Sequence, residues 1–253
     1  MANSHSVMSS LHWKQFFLTS VLLLCSAASS AGQLSIAANI MPPLLQADED
    51  TPTYYAEILD LLVQDLPFGV DVGYFPPARA GVLFDDGKYD CIFPASTQTM
   101  PQKDKLIESL PINFAKAHFF TLEPVAVNQI FDDVDLQLGV RRGFSYGEVV
   151  RKFQPQQVVE VNTELQNLGM LRKQRVDAFI AYIPDILFHL SKEDISDIYY
   201  DADTPLHVHS ENIVCHATEQ STALIEQINV RIQALRKNDQ LKTILGEYFV
   251  PQS

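Results

Sequence analysis

Between residues 55 and 66, apolar side chains recur at Tyr55, Ile58, Leu59, Leu62, Val63 and Leu66, with Glu57, Asp60 and Gln64 between them. That spacing puts one apolar stripe on a helix, and Pro67 and Gly69 stop it. Residues 33–38 and 70–75 predict short strands on either side, the first ended by Met41-Pro42-Pro43. Residues 77–84 predict a short helix with proline at its start and Gly87 just past its end, and 89–93 a third strand. Strands alternating with helices over short links predict a parallel sheet covered by helices.

The pattern then restarts. Residues 119–122 predict an extended segment and 123–135 a loop. Strands follow at 136–141, 158–161 and 176–181, with helices at 145–153, 163–173 and 184–190. Residues 207–216 are extended again. Two helices close the chain, one carrying Leu224, Ile228, Ile232 and Leu235 and the other Leu241, Ile244, Leu245, Tyr248 and Phe249, with a break at Asn238-Asp239. Two α/β units joined by extended segments predict a bilobed protein, and clefts between lobes are where small ligands bind.

The first 31 residues have another character. Lys14 is their one Lys, Arg, Asp or Glu, followed by a largely apolar run from Phe16 to Leu24 and small residues ending in Ser29-Ser30-Ala31. This is the layout of a cleavable secretory signal, with Met8 an alternative start. The run is shorter than the roughly 20 apolar residues of a membrane span. Leu24 ahead of Cys25 argues against lipid attachment at that cysteine, since a small residue is expected there. The expected product is an exported, periplasmic, monomeric protein without membrane insertion. Beyond the signal, Cys91 and Cys215 remain, and the compartment permits a disulfide between them or two buried thiols.

The chain has 253 residues, of which 47% are hydrophobic and 19% charged, enough to bury a core. With 18 Lys and Arg against 31 Asp and Glu, the formal net charge is −13. No basic face is available for nucleic acid, and the acidity repels anionic lipid headgroups.

Candidate chemistry gathers at strand ends. Ser145 with Glu148, and Thr163 with Gln166, fit capping boxes at two helix starts, where unsatisfied N–H groups can receive an acceptor. Ser96, Thr97 and Thr99 follow the third strand and point toward the crevice of an open α/β sheet. Arg79 at the start of the second helix is a candidate anion contact, and Tyr182, Phe144 and Phe93 are candidate aromatic walls. His207 and His209 share a strand face but lack a third ligand at a recognisable spacing, so no metal is expected. No P-loop, GxSxG or Cys–His nucleophile pattern is present, and no cofactor is expected.

Gly87-Lys88-Tyr89-Asp90-Cys91-Ile92-Phe93 followed by Thr97-Gln98-Thr99 resembles a segment of the bacterial extracellular solute-binding proteins of family 3, the binding components of polar amino-acid ABC importers. Met41-Pro42-Pro43-Leu44, then Leu138-Gly139-Val140 with Arg142-Gly143-Phe144-Ser145-Tyr146, then residues 171–178, and finally residues 238–249 are similar to further segments of that family in the same order. The resemblance implies a bilobed type 2 periplasmic-binding-protein fold. Lobe 1 would hold residues 32–118 and 211–253, lobe 2 residues 119–210, and the crossovers near 116–122 and 207–216 would act as a hinge. It implies a small polar ligand held by Met41, Arg79, Thr97, Thr99, Gln102, Gly143, Phe144, Ser145 and Tyr182. An ABC permease is the implied partner, with a receptor ectodomain as the alternative in a sensing role.

Two family anchors are missing. The arginine expected three residues after Thr99 is Gln102, and the aspartate expected five residues after Asp177 is Tyr182. Losing both charged partners of an α-amino acid costs recognition on the order of 2–5 kcal/mol. The expected ligand is therefore not a standard α-amino acid. A dehydratase-like enzyme on the same fold would need an acid in the cleft; Asp185 is the nearest carboxylate, and its place at a helix start explains it better.

Overall fold

The computed structural model describes residues 33–46, 53–192 and 196–251; the expected export signal lies outside them. The chain begins with strand β1 (Leu34–Asn39), helix α1 (Tyr54–Val63), strand β2 (Val70–Phe75), helix α2 (Pro77–Asp85) and strand β3 (Cys91–Ala95). β1 lies parallel between β2 and β3, as the alternation predicts. Its side chains are mostly buried on both faces, the condition of a central parallel strand. On α1, Tyr55, Ile58, Leu59 and Leu62 are fully buried, the i, i+3, i+4, i+7 stripe read from the chain. Each contributes about 1.5–3 kcal/mol of apolar burial before chain entropy is subtracted. Pro77 opens α2, and Gly87 ends it with φ +67, donating its N–H to the Phe84 carbonyl.

Strands β4 (Leu106–Glu108) and β5 (Asn113–Phe120) lead to helix α3 (Val127–Asp132), strands β6 (Leu138–Arg141) and β7 (Val158–Val161), and helix α4 (Glu164–Arg172). Strand β8 (Ala178–Ile183), helix α5 (Asp185–Lys192), strand β9 (His207–His216) and helices α6 (Glu219–Lys237) and α7 (Gln240–Leu245) complete the fold. β6 is parallel to both β7 and β8. The strands run in the order β2-β1-β3-β9-β5-β8-β6-β7, with β4 also on β9.

β5 and β9 join the two halves of this curled sheet. The end of β9, from Asn212 on, pairs with β3, while its start, through Glu211, pairs with β5. β5 in turn carries the pairing on to β8 from Lys116. The apolar cores divide at the same strands. One gathers β1, α1, α6 and α7 around Ile36, Tyr55, Phe93 and Ile228, and the others gather β5, β6, β8 and α4 around Phe119, Leu138, Phe179 and Leu171.

Three expectations are corrected. The helix expected at 145–153 does not form: the segment is turns followed by one 3₁₀ turn at Val150–Lys152. Tyr146, Val149 and Phe153 are buried at the helical spacing that suggested it, yet Gly147 sits at φ +59, and a Cβ there would lie 2.9 Å from the His207 ring. The Ser145 carbonyl accepts from the Tyr182 hydroxyl, and the Tyr146 hydroxyl accepts from the Arg141 N–H. These tertiary bonds displace the helical ladder, and Glu148 pairs with Arg151 instead of capping. Second, the loop expected at 123–135 contains α3, whose first turn is closed by Gln129 accepting from the Ala126 N–H. Third, β3 and β8 each lie two residues further along the chain than expected, at both ends. Pro94 in β3 lies at a register shift against β9, where a missing N–H is tolerated.

Cys91 and Cys215 face each other across β3 and β9 and form a disulfide. Thr163 caps α4 as expected, accepting from the Gln166 N–H. No described helix is long and apolar enough to cross a membrane.

Candidate functional site

A cavity of about 210 Å³ opens where parallel strands from both halves of the sheet end. One wall carries Asn39 from the end of β1, Met41 after it, and Ser96 and Thr99 after β3. The other carries Gly143, Phe144 and Ser145 after β6 and Tyr182 near the end of β8. The crossing strands add Ala115 from β5 and His209 and Glu211 from β9.

Of the nine residues expected to bind ligand, Met41, Thr99, Gly143, Phe144, Ser145 and Tyr182 line this cavity. Thr97, Arg79 and Gln102 are not among its lining residues. Thr97 gives its backbone N–H to Glu108, and Arg79 and Gln102 are exposed. Thr99 donates its hydroxyl hydrogen to the Ser96 carbonyl at 3.0 Å.

Gly143 has a steric role. It sits at φ +82, and a Cβ would lie 2.5 Å from the Ala78 backbone nitrogen, so the loop after β6 touches the start of α2 backbone to backbone. Both the left-handed conformation and the close approach exclude a side chain. Gly143→Ala is expected to push the two walls apart, with little change in the separate cores. Small-angle scattering beside thermal unfolding checks this, and an unchanged radius of gyration would show that the loop yields without moving the walls.

The aromatic wall is continuous. The Tyr182 ring stacks on Tyr146 at 5.2 Å, lies 6.3 Å from Phe144 and takes His209 edge-on at 4.7 Å. Arg141 lies outside the lining. Its guanidinium rests 4.3 Å from the Phe144 ring centre, 4.0 Å from the Glu164 carboxylate and 3.5 Å from the Ile40 carbonyl.

The residues that sequence reasoning missed are the polar ones. Glu211 is buried at 2% exposure; Tyr55 donates its hydroxyl to Oε2, and Asn113 donates to that same hydroxyl at 3.1 Å. Burial raises the Glu211 carboxyl to about 7, against the pull of these hydrogen bonds. Burial, then the neighbouring His207, lowers His209 to about 4, so its ring is neutral at physiological pH. Asp185 on α5 is buried beyond the lining and raised well above the usual carboxylate range by burial and then by Glu211. Asn39 Oδ1 and His209 Nδ1 are buried without a hydrogen-bond partner among the described residues. The one available signal was an acid placed two residues ahead of the apolar run Ile213-Val214-Cys215 on a strand.

The rings of His207 and His209 lie 5.6 Å apart, but no group of three or more potential metal ligands occurs among the described residues.

Neither a family model nor a curated protein matches the chain by sequence. Solved structures match it by shape. An ABC uptake transporter substrate-binding protein from Streptococcus pneumoniae with bound histidine superposes with a TM-score of 0.69 at 14% identity, covering 86% of this chain and 92% of that one. The GluR0 ligand-binding core from Nostoc punctiforme, in complex with (L)-glutamate, gives 0.68 at 14% identity over 86% of this chain and 100% of that one. A mutant of ArgBP from T. maritima gives 0.67 at 18% identity over 87% and 96%. This likeness in shape over most of both chains, with a curled sheet flanked by helices, shows that this chain has the type 2 periplasmic-binding-protein fold.

Proposed function

We propose that the protein is a periplasmic solute-binding protein of family 3 type that captures a small molecule in the cavity between two lobes and presents its closed form to an ABC importer. The observation that carries this reading is the cavity itself, which draws one wall from each half of the sheet and has Gly143 seated on Ala78 across it. Residues 32–118 with 211–253 form one lobe and 119–210 the other, and β5 and β9 form the waist about which they bend. The separate apolar cores on either side of those strands support that division. Two of the structures named above are, by their names, a ligand-binding core and a substrate-binding protein, which supports a binding role.

The ligand is not a standard α-amino acid. Gln102 and Arg79 are exposed and outside the cavity lining, Tyr182 occupies the position of the missing aspartate, and no Lys or Arg among the described residues lines the cavity. A ligand carboxylate would therefore enter without a charge partner. Calorimetry of the mature protein against the twenty amino acids is expected to show none bound at micromolar affinity or tighter; one such isotherm would refute this part. For solute capture itself, a thermal-shift screen of small metabolites is expected to find a ligand that raises the melting temperature and reduces the radius of gyration in scattering.

A further inference from the structure

The side chains around the cavity define a charge preference. Its acids are the buried Glu211 and the exposed Asp85, and no lining residue among those described is a Lys or Arg. Arg141 stands outside the lining, beside the Glu164 carboxylate and against the Phe144 ring. No helix starts at Ser145, so the loop after β6 adds no helix dipole to attract an anion, and the Ser145 carbonyl is already engaged by Tyr182. Acceptors remain. A carboxylate has about four acceptor sites, and Tyr55 and Asn113 draw on only part of that capacity on Glu211; Asn39 Oδ1 is buried with none filled. Ser96, Thr99, Ser145 and the neutral His209 add uncharged polar groups, and the broad faces of the wall are aromatic or apolar: Phe84, Phe144, Tyr182, Met41 and Met100.

Resting on the solute-binding reading above, we infer that the solute is a small protonated amine lacking a carboxylate, its ammonium group received by Glu211 and Asn39 and its apolar body lying against Tyr182 and Phe144. An ammonium supplies the hydrogens that these acceptors lack, and its charge is favoured both by the carboxylate and by the aromatic faces. A carboxylate on the same molecule would meet Glu211 with no compensating cation. The cavity, at about 210 Å³, holds about seven waters at roughly 30 Å³ each, the scale of a molecule with about a dozen heavy atoms.

The pH dependence of binding follows from the groups facing Glu211. Tyr55 from α1 and Tyr182 from β8 stay protonated, since burial raises both. His209, on β9 itself, is neutral above about 4, and Asn113 on β5 does not titrate. Asp185 from α5 loses its proton in the same direction as Glu211. Amine affinity therefore rises as pH increases through about 7, where Glu211 ionises.

The test is titration calorimetry of the mature protein with four matched pairs: 2-phenylethylamine against phenylalanine, tyramine against tyrosine, histamine against histidine, and agmatine against arginine. At least one amine is expected to bind, and to bind at least tenfold tighter than the amino acid that shares its skeleton. Glu211→Gln is expected to weaken that amine about tenfold. Should the variant not fold, the wild-type profile carries the same information: affinity for 2-phenylethylamine, tyramine or agmatine rising roughly tenfold between pH 6 and pH 8. An amino acid binding as tightly as its amine, or silence from all four amines, overturns the inference. Either result leaves solute capture standing if any other small molecule closes the protein, whereas a metabolite library without a single ligand would remove solute capture as well.

Discussion

Replacing Cys91 and Cys215 together by alanine is expected to lower the unfolding free energy by about 2–5 kcal/mol. The bridge joins residues 124 positions apart, so it removes a large loop-closure entropy from the unfolded chain; the chain-entropy relation alone gives about 5 kcal/mol for a loop of that length. Native strain and residual structure in the unfolded chain reduce such values in practice. The effect has a location as well as a size. Cys91 lies on β3 and Cys215 on β9, and that antiparallel pair ties the returning C-terminal segment to the first part of the sheet. Both side chains are fully buried, so the double alanine variant also loses their packing. Urea melts with and without reductant measure the effect. Reductant should move the wild-type midpoint most of the way to that of the variant, and identical midpoints for all three samples would show that the bridge does not constrain the unfolded chain. A bridge of this kind suits the oxidising compartment proposed for the protein.

The second large effect is a stability difference that grows with pH. The Glu211 carboxyl, near 4.5 when unfolded, is raised to about 7 in the fold, so the folded chain holds this proton more tightly than the unfolded chain does. The stabilisation from that proton is fully present below about 4.5 and is lost as pH rises through about 7. His209 acts in the opposite sense. Lowered to about 4 from 6.5, it resists the proton that the unfolded chain accepts, so its contribution is lost as pH falls from 6.5 toward 4. The two contributions oppose each other over the same window. Glu211→Gln isolates one of them. The variant should match the wild type within about 1 kcal/mol at pH 4.5 and exceed it by on the order of 3 kcal/mol at pH 8. Asp185 shares the field of Glu211, so the pair titrates jointly and the transition is broader than that of one acid. Chemical denaturation at four pH values supplies the comparison, and a difference that does not grow above pH 5 would show that Glu211 is ionised at no cost in the fold. A buried acid that weakens the empty protein at neutral pH is consistent with a site whose charge a cationic ligand completes.

The elements differ in how legible they were. α1, β2, β7, β9 and the capped start of α4 could be read directly, because each is specified within a dozen neighbouring residues: a helical stripe, a β-rich run, or a hydroxyl three residues ahead of an amide. The segment after β6 could not. Tyr146, Val149 and Phe153 carry a helical spacing, but Gly147 is pressed against His207, some sixty positions further along the chain, and Tyr182 holds the Ser145 carbonyl. Helix propensity contributes tenths of a kcal/mol per residue and gives way to such contacts.

The site divides in the same manner. Gly143, Phe144, Ser145 and Tyr182 were reachable because each follows or ends a parallel strand, and strand ends face the crevice in this class of sheet. Glu211, His209 and Asn39 were not, since an acid or amide within a strand gives no local sign of whether it faces solvent, core or cavity.

Periodicity, turn residues and caps determined the α/β class, most strands and helices, and the strand ends at which ligand chemistry gathers, because these depend on interactions within a single element. The tertiary structure alone decided that β9 crosses from one half to the other, that Cys91 meets Cys215, and that Tyr55 and Asn113 converge on Glu211. Those outcomes depend on the order of strands in the sheet. That order is a balance of contacts between distant segments, and no local window of sequence contains them.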